Sequence, residues 1–168
     1  MLVEIYSPVF KEKGKIRAPI EFKNGLNVVL GTQTASNSIG KSSSLLAIDF
    51  AFGGDTYLNS DGVRNIGNHT IYSCFKFDKK YYYGRSTENP DTIIICNSDY
   101  SETEKTISKK DFLNFLMENY ISNKTDLTFR QLVSTYFRIY GKSNREENYP
   151  LQGYRNQSTK ESIKILMS

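Results

Sequence analysis

One eight-residue segment of the chain combines the residue types and the spacing that bind phosphate. It reads Ala35-Ser36-Asn37-Ser38-Ile39-Gly40-Lys41-Ser42. This sequence fits the Walker A pattern, a glycine followed five positions later by Gly-Lys-Ser or Gly-Lys-Thr, except that Ala35 replaces the first glycine. A position with negative φ accepts alanine without strain, so this departure does not exclude the loop. The segment therefore predicts a nucleotide phosphate site.

Each part of this predicted loop has a chemical task. Backbone N–H groups of the loop and of the helix that follows it point at the phosphates, and the helix dipole favours their negative charge. Lys41 is expected to contact the β- and γ-phosphate oxygens, and the Ser42 hydroxyl to bind Mg²⁺. Gly40 lets the backbone approach the ligand closely. The predicted binding residues are Ser36, Asn37, Ser38, Ile39, Gly40, Lys41, Ser42 and Ser43.

The elements around the loop have the order that such a site needs. Leu26–Leu30 is a short Val-rich run between two glycines, which is typical of a strand buried on both faces. A polar loop follows over Thr32–Ile39, and a helix is expected from Ser42 onward, with Gly53 and Gly54 ending it. The apolar face of that helix is expected to contain Leu45, Ile48 and Phe52.

The remaining pattern predicts strands before the loop and a sheet and helices after it. Two strands and a turn are expected before Leu26, and three Ile-, Tyr- and Phe-rich runs after the helix predict an antiparallel meander. Ser108 and Thr128 are predicted to cap two further helices. The predicted strands are Leu2–Tyr6, Pro19–Phe22, Thr70–Phe77, Lys80–Arg85 and Thr92–Cys96, and the apolar helix positions are Phe112, Phe115, Leu116 and Ile121, then Leu132, Val133, Tyr136 and Phe137.

Composition limits the class of protein. A chain of 168 residues is the size of one domain, its net charge is +4, and no apolar run approaches the roughly 20 residues that cross a bilayer. The first ten residues lack the features of a secretory signal, which predicts a cytoplasmic location without a membrane partner. Cys74 and Cys96 are too few and too far apart for a metal cluster, and buried free thiols are expected.

The last third of the chain differs in composition. Residues 142–158 are polar and without periodicity, so a mobile loop is expected there. Thr159–Met167 begins a helical pattern that stops after about two and a half turns. The pattern suggests that residues 1–168 are the first part of a longer chain.

Three segments resemble a known family of ATPases. Gly25–Gly31, the loop Asn37–Ser42 and the segment Ile48–Asp55 are similar to the N-terminal head segment of ABC-type ATPases of the SMC, RecF and RecN kind. Later segments, Phe129-Arg130 and Phe137–Gly141 with Pro150-Leu151, are similar to bacterial SMC-like ATPases, some of which belong to phage-defence systems such as Lamassu. The likeness covers most of the chain, and its specific part is the phosphate loop.

The resemblance implies an α/β P-loop lobe with a mixed sheet, mostly parallel in its core, and an antiparallel β-subdomain. It also implies an ATP- and Mg²⁺-binding half of a head, which hydrolyses ATP only with a C-terminal lobe and a second head, in a homodimer acting on DNA in repair or antiviral defence. In that family the C-terminal lobe supplies the signature motif and the Walker B acids, for which this chain has no candidate. No catalytic residue is therefore expected in this chain, and the fragment alone is expected to be inactive.

Some residues carry weaker predictions. The family has a glutamine that binds Mg²⁺, and Gln131 is the candidate, with Gln152 and Gln157 as competitors. The resemblance also places Arg64 near the γ-phosphate and Arg17 near adenine, although surface charges are the simpler interpretation.

Two motifs outside the loop have simple structural interpretations. His69 opens an apolar strand, which favours a structural histidine over a catalytic base. The run Tyr81-Tyr82-Tyr83, beside Lys79, Lys80 and Arg85, could stack on nucleic acid, but a hairpin with one aromatic face in the core explains it more simply.

Two other classes of function are compatible with the same loop. A free-standing P-loop kinase or GTPase would complete its own site, and Asn123-Lys124-Thr125-Asp126 has the pattern of a guanine-reading segment, although it lies between two predicted helices. A non-catalytic interaction module with a vestigial phosphate loop is the other class. Nucleotide binding and the choice between ATP and GTP distinguish these classes.

Overall fold

A computed structural model describes residues 1–12, 14–28, 38–121 and 127–136 of the chain. For residues 12, 38–42 and 134–136 it describes the backbone alone. The chain divides into two units, Met1–Phe112 and Leu113–Ser168. The predicted loop at 142–158, the helix at 159–167, Phe137, Gln152, Gln157 and the segment 123–126 lie outside the described residues.

The described elements alternate between strands and helices. A 3-10 helix at Thr56–Asn59 lies between the first two α-helices. The strands are β1 (Leu2–Tyr6), β2 (Lys11–Glu12), β3 (Lys15–Ile16), β4 (Ile20–Glu21), β5 (Thr70–Lys76), β6 (Lys80–Ser86), β7 (Thr92–Cys96) and β8 (Glu102–Ser108), and the helices are α1 (Ser38–Ala51), α2 (Asp61–Ile66), α3 (Lys109–Tyr120) and α4 (Phe129–Tyr136).

Six of the strands form one antiparallel sheet in the order β4-β1-β5-β6-β7-β8. The predicted meander is confirmed, because β5 pairs with β6, and β6 with β7, along nearly their whole lengths. Strand β8 was not predicted, because its residues are mostly polar and exposed. As an edge strand it contributes only Thr103 and Ile107 as partly buried side chains, so it carries little apolar signal.

The inner face of the sheet carries the core of the first unit. Ile5, Ile71, Phe75 and Ile93 point to this side and are at most 1% exposed. Phe112 of α3 packs edge-on against Phe75, with ring centroids 6.0 Å apart. This apolar layer supports α1, whose C-terminal end adds Phe52 against Phe75 at 5.5 Å.

A cluster of tyrosines covers the outer face. Tyr100, in the β7–β8 turn, has a positive φ of 64° and places its ring beside Tyr6, Tyr72 and Tyr82, at centroid distances of 5.6, 5.7 and 5.5 Å. Gly84 lies opposite Tyr72 in the register. A Cβ at Gly84 would come within 3.0 Å of that ring, so glycine makes room for it.

The end of α1 follows the prediction, whereas its start and its buried face do not. Gly53 has φ 82°, and the bonds Gly53 N–H to Phe50 O and Gly54 N–H to Asp49 O, at 3.0 and 2.8 Å, form a Schellman motif. The helix begins at Ser38, four residues before the predicted start. The predicted face of Leu45, Ile48 and Phe52 is only partly buried, while the buried positions of α1 are Ala47, Asp49, Phe50 and Ala51.

The prediction of a strand buried on both faces at Leu26–Leu30 is wrong for its described part. Leu26 is 89% exposed and Val28 is 63% exposed, and neither lies in a strand. A strand of this kind needs a neighbour on both sides, and no described strand pairs with these residues. Residues 29 and 30 lie outside the described part.

The described residues therefore form an α/β fold built on an antiparallel sheet. Every strand pairing among them is antiparallel, so the parallel part of the predicted mixed sheet remains a prediction. Among the described helices, none has both the length and the apolarity that a bilayer crossing requires.

Candidate functional site

The predicted phosphate site is described from Ser38 onward. Ser38–Ser43 lies in α1, so the backbone of Lys41 and Ser42 is helical, while residues 35–37 lie outside the described part. The first turn of α1 contains no acidic residue. A helix N-terminus whose first turn has no acidic residue suits a bound anion. The predicted loop was Thr32–Ile39, but its last two residues, Ser38 and Ile39, already belong to α1.

Arg85 holds the opposite end of α1. It lies on β6, is 3% exposed, and its guanidinium carbon lies 4.0 Å from the centroid of the Phe50 ring. Nη1 donates to the carbonyls of Phe50 and Gly54 at 2.9 and 2.7 Å, and Nε donates to the Pro90 carbonyl at 2.7 Å. Arg85 therefore adds a second donor at the Phe50 carbonyl, which also accepts from the Gly53 N–H, and supplies a donor to the Gly54 carbonyl. These bonds link the C-terminal end of α1 to the sheet.

An ion-pair network joins Arg85 to the start of α3. Asp55 accepts from Arg85 Nη2 at 2.7 Å, and Lys109 Nζ lies 2.7 Å from the other oxygen of Asp55. Lys109 also lies 3.6 Å from Asp91. Partial burial acts to raise the pKa of Asp55, but the hydrogen bonds from Lys109 and Arg85 outweigh it and hold the pKa below its ordinary value. Within the first unit, the network joins the end of α1, the sheet and Lys109.

Asp49 and Gly54 pack closely under the end of α1. Asp49 is buried at 3% exposure, and its side chain fills the space beside Gly54. A Cβ built on Gly54 would overlap the Asp49 carboxylate, at 2.0 Å from one oxygen. The segment Ile48–Asp55, which carries part of the family resemblance, thus has a structural task at the C-terminal end of α1.

The predicted metal ligand Gln131 lies in the second unit and takes part in a helix cap. Its Oε1 accepts from the Thr128 N–H at 2.7 Å, and its own N–H donates to Thr128 Oγ1 at 3.3 Å. This reciprocal pattern is a capping box, and it confirms Thr128 as the cap of α4. The oxygen that would bind Mg²⁺ is therefore already an acceptor within this unit, and a metal role for Gln131 remains a prediction.

His69 has a structural role, as expected. Its Nε2 lies 2.8 Å from the Tyr57 hydroxyl, and its Nδ1 lies 2.7 Å from the Gly67 carbonyl oxygen. A carbonyl only accepts, so Nδ1 carries the proton and Nε2 accepts from Tyr57. Both ring nitrogens of this buried histidine therefore have partners within the fold.

The tyrosine run Tyr81–Tyr83 is divided between the two faces of the sheet. Tyr83 is in the core against Phe112, with ring centroids 5.0 Å apart, whereas Tyr82 joins the cluster on the outer face. Burial removes Arg85 from any surface patch with these residues. The interpretation as a hairpin with one aromatic face in the core is confirmed for Tyr83.

The two candidate arginines from the family resemblance are surface residues. Arg64, on α2, lies 3.6 Å from Asp61, and its side chain is 70% exposed. Arg17 is exposed directly after β3. Cys74 and Cys96 are buried free thiols, as predicted.

Sequence reasoning missed the role of Arg85. One signal was available in the strand alternation. Arg85 lies two residues after Tyr83, so both side chains are on the same face of β6, and that face is the one predicted to contact the core. The acceptors that make this burial favourable lie 31 and 35 residues away along the chain, and no local pattern indicates them.

The chain matches no protein-family model, no curated protein and no solved structure. Among the described residues there is no group of three or more His, Cys, Asp or Glu side chains that could hold a metal ion. A magnesium ion held by the Ser42 hydroxyl and phosphate oxygens needs no such group. The anion site expected at the start of α1 therefore stays a prediction from the sequence motif.

Proposed function

We propose that this chain is the ATP-binding half of an ATPase head of the SMC, RecF and RecN kind. ATP with Mg²⁺ binds at Ser36–Ser43, with Lys41 on the β- and γ-phosphates and Ser42 on the metal. Hydrolysis needs a C-terminal lobe and a second head, and the complete protein acts on DNA. The observation that carries the proposal is the Asn37–Ser42 motif, whose Gly-Lys-Ser part lies in the first turns of α1.

The exposed segment before the loop supports the idea of an incomplete head. Leu26 and Val28 are the most exposed large apolar side chains among the described residues. Leaving such side chains in water loses roughly 1.5 to 3 kcal/mol each relative to burial. A second lobe that adds strands beside this segment would bury them.

The contacts of Arg85 and the Schellman motif at the C-terminal end of α1 also support the proposal. Binding a triphosphate demands a helix whose N-terminus stays in place, because misplaced donors lose their hydrogen bonds. Arg85 and the Schellman motif anchor the C-terminal end of this helix to the sheet. The predicted site therefore begins on a helix whose other end is anchored to the sheet.

Equilibrium binding of a fluorescent ATP analogue tests the proposal, with unlabelled ATP and GTP as competitors and with EDTA to remove Mg²⁺. We expect Lys41→Ala to weaken ATP binding at least about 100-fold, because hydrogen bonds to charged groups contribute about 1.5 to 3 kcal/mol each. Its thermal unfolding midpoint should match that of the unsubstituted protein. Lys110→Ala, at an exposed lysine of α3, is the matched control and should bind normally.

Three results would contradict the proposal. Unchanged affinity in Lys41→Ala places the nucleotide elsewhere. A preference for GTP favours the GTPase alternative. A complete lack of nucleotide binding by the unsubstituted chain favours an interaction module with a vestigial loop.

A further inference from the structure

The positive charge of the chain is concentrated near its N-terminus. Residues 11–23 contain five basic and two acidic side chains, a net charge of +3, while the whole chain has a net charge of +4. The other 155 residues are therefore nearly neutral as a set. This asymmetry creates a local positive potential on a chain whose total charge is modest.

The structure organises this charge on a small ribbon. Strands β2 and β3 form a two-stranded sheet of their own, with Lys11 opposite Ile16 and Glu12 opposite Lys15. Gly14, at φ 80°, makes the turn, and the Arg17 N–H donates to the Phe10 carbonyl at 2.8 Å, which extends the pairing. Lys11 and all residues from Gly14 to Ala18 are exposed.

Strand alternation places two of the cations together. Lys15 and Arg17 are two residues apart, so they share one face of the ribbon at a spacing of about 6.6 Å. Lys11 and Ile16 lie on the other face. Lys23, which is exposed, adds a further cation after β4, where Asn27 holds the backbone with hydrogen bonds to Lys23 at 2.8 Å.

We propose that the β2–β3 ribbon contacts the phosphate backbone of double-stranded DNA through Lys15 and Arg17, with Lys11 and Lys23 at its margins. This inference rests on the DNA-binding part of the proposed function and names the surface responsible for it. The major groove of B-DNA is about 12 Å wide and admits a two-stranded β-ribbon. Contacts to phosphate position a protein on DNA without reading its sequence.

The ribbon suits DNA better than a lipid surface. Stable membrane attachment needs apolar insertion as well as positive charge. The face with Lys15 and Arg17 has no exposed large apolar side chain among its described residues, because Phe10, which pairs with Arg17, is half-buried and Ile16, at 55% exposure, lies on the opposite face. A polyanion therefore fits this face more closely than a bilayer does.

The test is fluorescence anisotropy with a labelled 30-base-pair duplex, titrated with the full chain between 50 and 200 mM NaCl. We expect the double variant Lys15→Gln/Arg17→Gln to bind more weakly and its salt slope, log Kobs against log salt, to decrease by about 2, since each phosphate contact contributes about 0.9. The matched control Lys105→Gln/Lys110→Gln removes the same charge at exposed positions of β8 and α3. It should keep the slope of the unsubstituted protein.

Three other outcomes would overturn the inference, and each can be told apart from a failure of the proposed function. Equal slopes for the ribbon variant and the control, with DNA still bound, place the DNA on another surface and leave the proposed function intact. No binding to the duplex by the unsubstituted protein removes both the inference and the DNA part of the proposed function, while the ATP measurements stand separately. Binding only to vesicles of anionic phospholipid would replace DNA by a membrane.

Discussion

At the scale of single residues, Arg85 contributes most to the positioning of the predicted site. A buried cation is expensive unless it is fully hydrogen-bonded, and here all three guanidinium nitrogens have acceptors. Two of these acceptors are carbonyls at the end of α1, and the fourth hydrogen bond reaches the more exposed Asp55. Arg85 thus anchors α1, the helix on which the predicted phosphate site begins, to strand β6.

Arg85→Met should destabilise the protein by roughly 2 to 4 kcal/mol. The substitution keeps much of the side-chain volume but removes the donor from the Gly54 and Pro90 carbonyls, at about 1 to 3 kcal/mol for each unsatisfied group, while the Phe50 carbonyl keeps its bond from the Gly53 N–H. Asp55 contributes little to this loss, because its side chain is 57% exposed and water can solvate it. The measurement is the free energy of unfolding in urea.

The control for this variant is Arg64→Met. Arg64 makes an exposed ion pair one turn along α2, so its removal should change the unfolding free energy by less than about 0.5 kcal/mol. Equal losses in the two variants would contradict the anchoring role of Arg85.

At the scale of elements, short local signals set where the helices begin and end. Ser108 caps α3, since the Asp111 N–H donates to its Oγ at 3.1 Å and its hydroxyl donates to the Asp111 carboxylate at 2.6 Å. Thr128 and Gln131 repeat this arrangement at α4. Gly53 closes α1 because only glycine adopts its positive φ at no steric cost.

Ser108→Ala should lower the free energy of unfolding by about 1 kcal/mol, because the amide at the start of α3 loses its acceptor. Ser108→Asn is the matched variant and should be close to the unsubstituted protein, since asparagine is an equally good N-cap. Chemical denaturation of both variants measures the difference. Equal stability of Ser108→Ala and the unsubstituted protein would show that the cap does not stabilise α3.

At the scale of the whole molecule, the described sheet buries many groups that stay neutral at physiological pH. Burial raises the pKa of Tyr57 and of Tyr83 to about 12, and that of the Cys74 and Cys96 thiols to about 11. Burial also raises the pKa of Tyr100, and the nearby Glu4 carboxylate raises it further. All these groups favour the protonated form in the folded state.

The protein should therefore lose stability in alkali. A group whose pKa is raised on folding binds its proton more tightly in the native state, so its contribution is complete below the unfolded pKa and is lost as the pH rises towards the folded value. We expect the urea midpoint to stay constant up to about pH 9 and to fall between about pH 9 and 12. Absorbance of tyrosinate at 295 nm should appear with unfolding, above the pH at which free tyrosine ionises. A constant midpoint up to pH 11 would contradict this.

Much of the fold could be predicted because its signals are local. Alternation along Thr70–Cys96 indicated the meander, and capping residues indicated α3 and α4, since these patterns depend on neighbours within about four residues. Strand β8 escaped prediction because an exposed edge strand needs few apolar side chains. The start of α1 was placed four residues late, at Ser42 instead of Ser38.

The sequence by itself determined the strand periodicity and the helix caps, and it contains the Gly-Lys-Ser motif from which the phosphate site is predicted. Each of these signals depends on residues that are close along the chain. Only the tertiary structure decided that Arg85 is buried under α1, that Tyr100 completes a cluster on the outer face, and that Leu26 is exposed. The physical reason is that burial depends on partners far away in sequence. Arg85 finds its acceptors 31 and 35 residues away, and Leu26 lacks a neighbouring strand among the described residues.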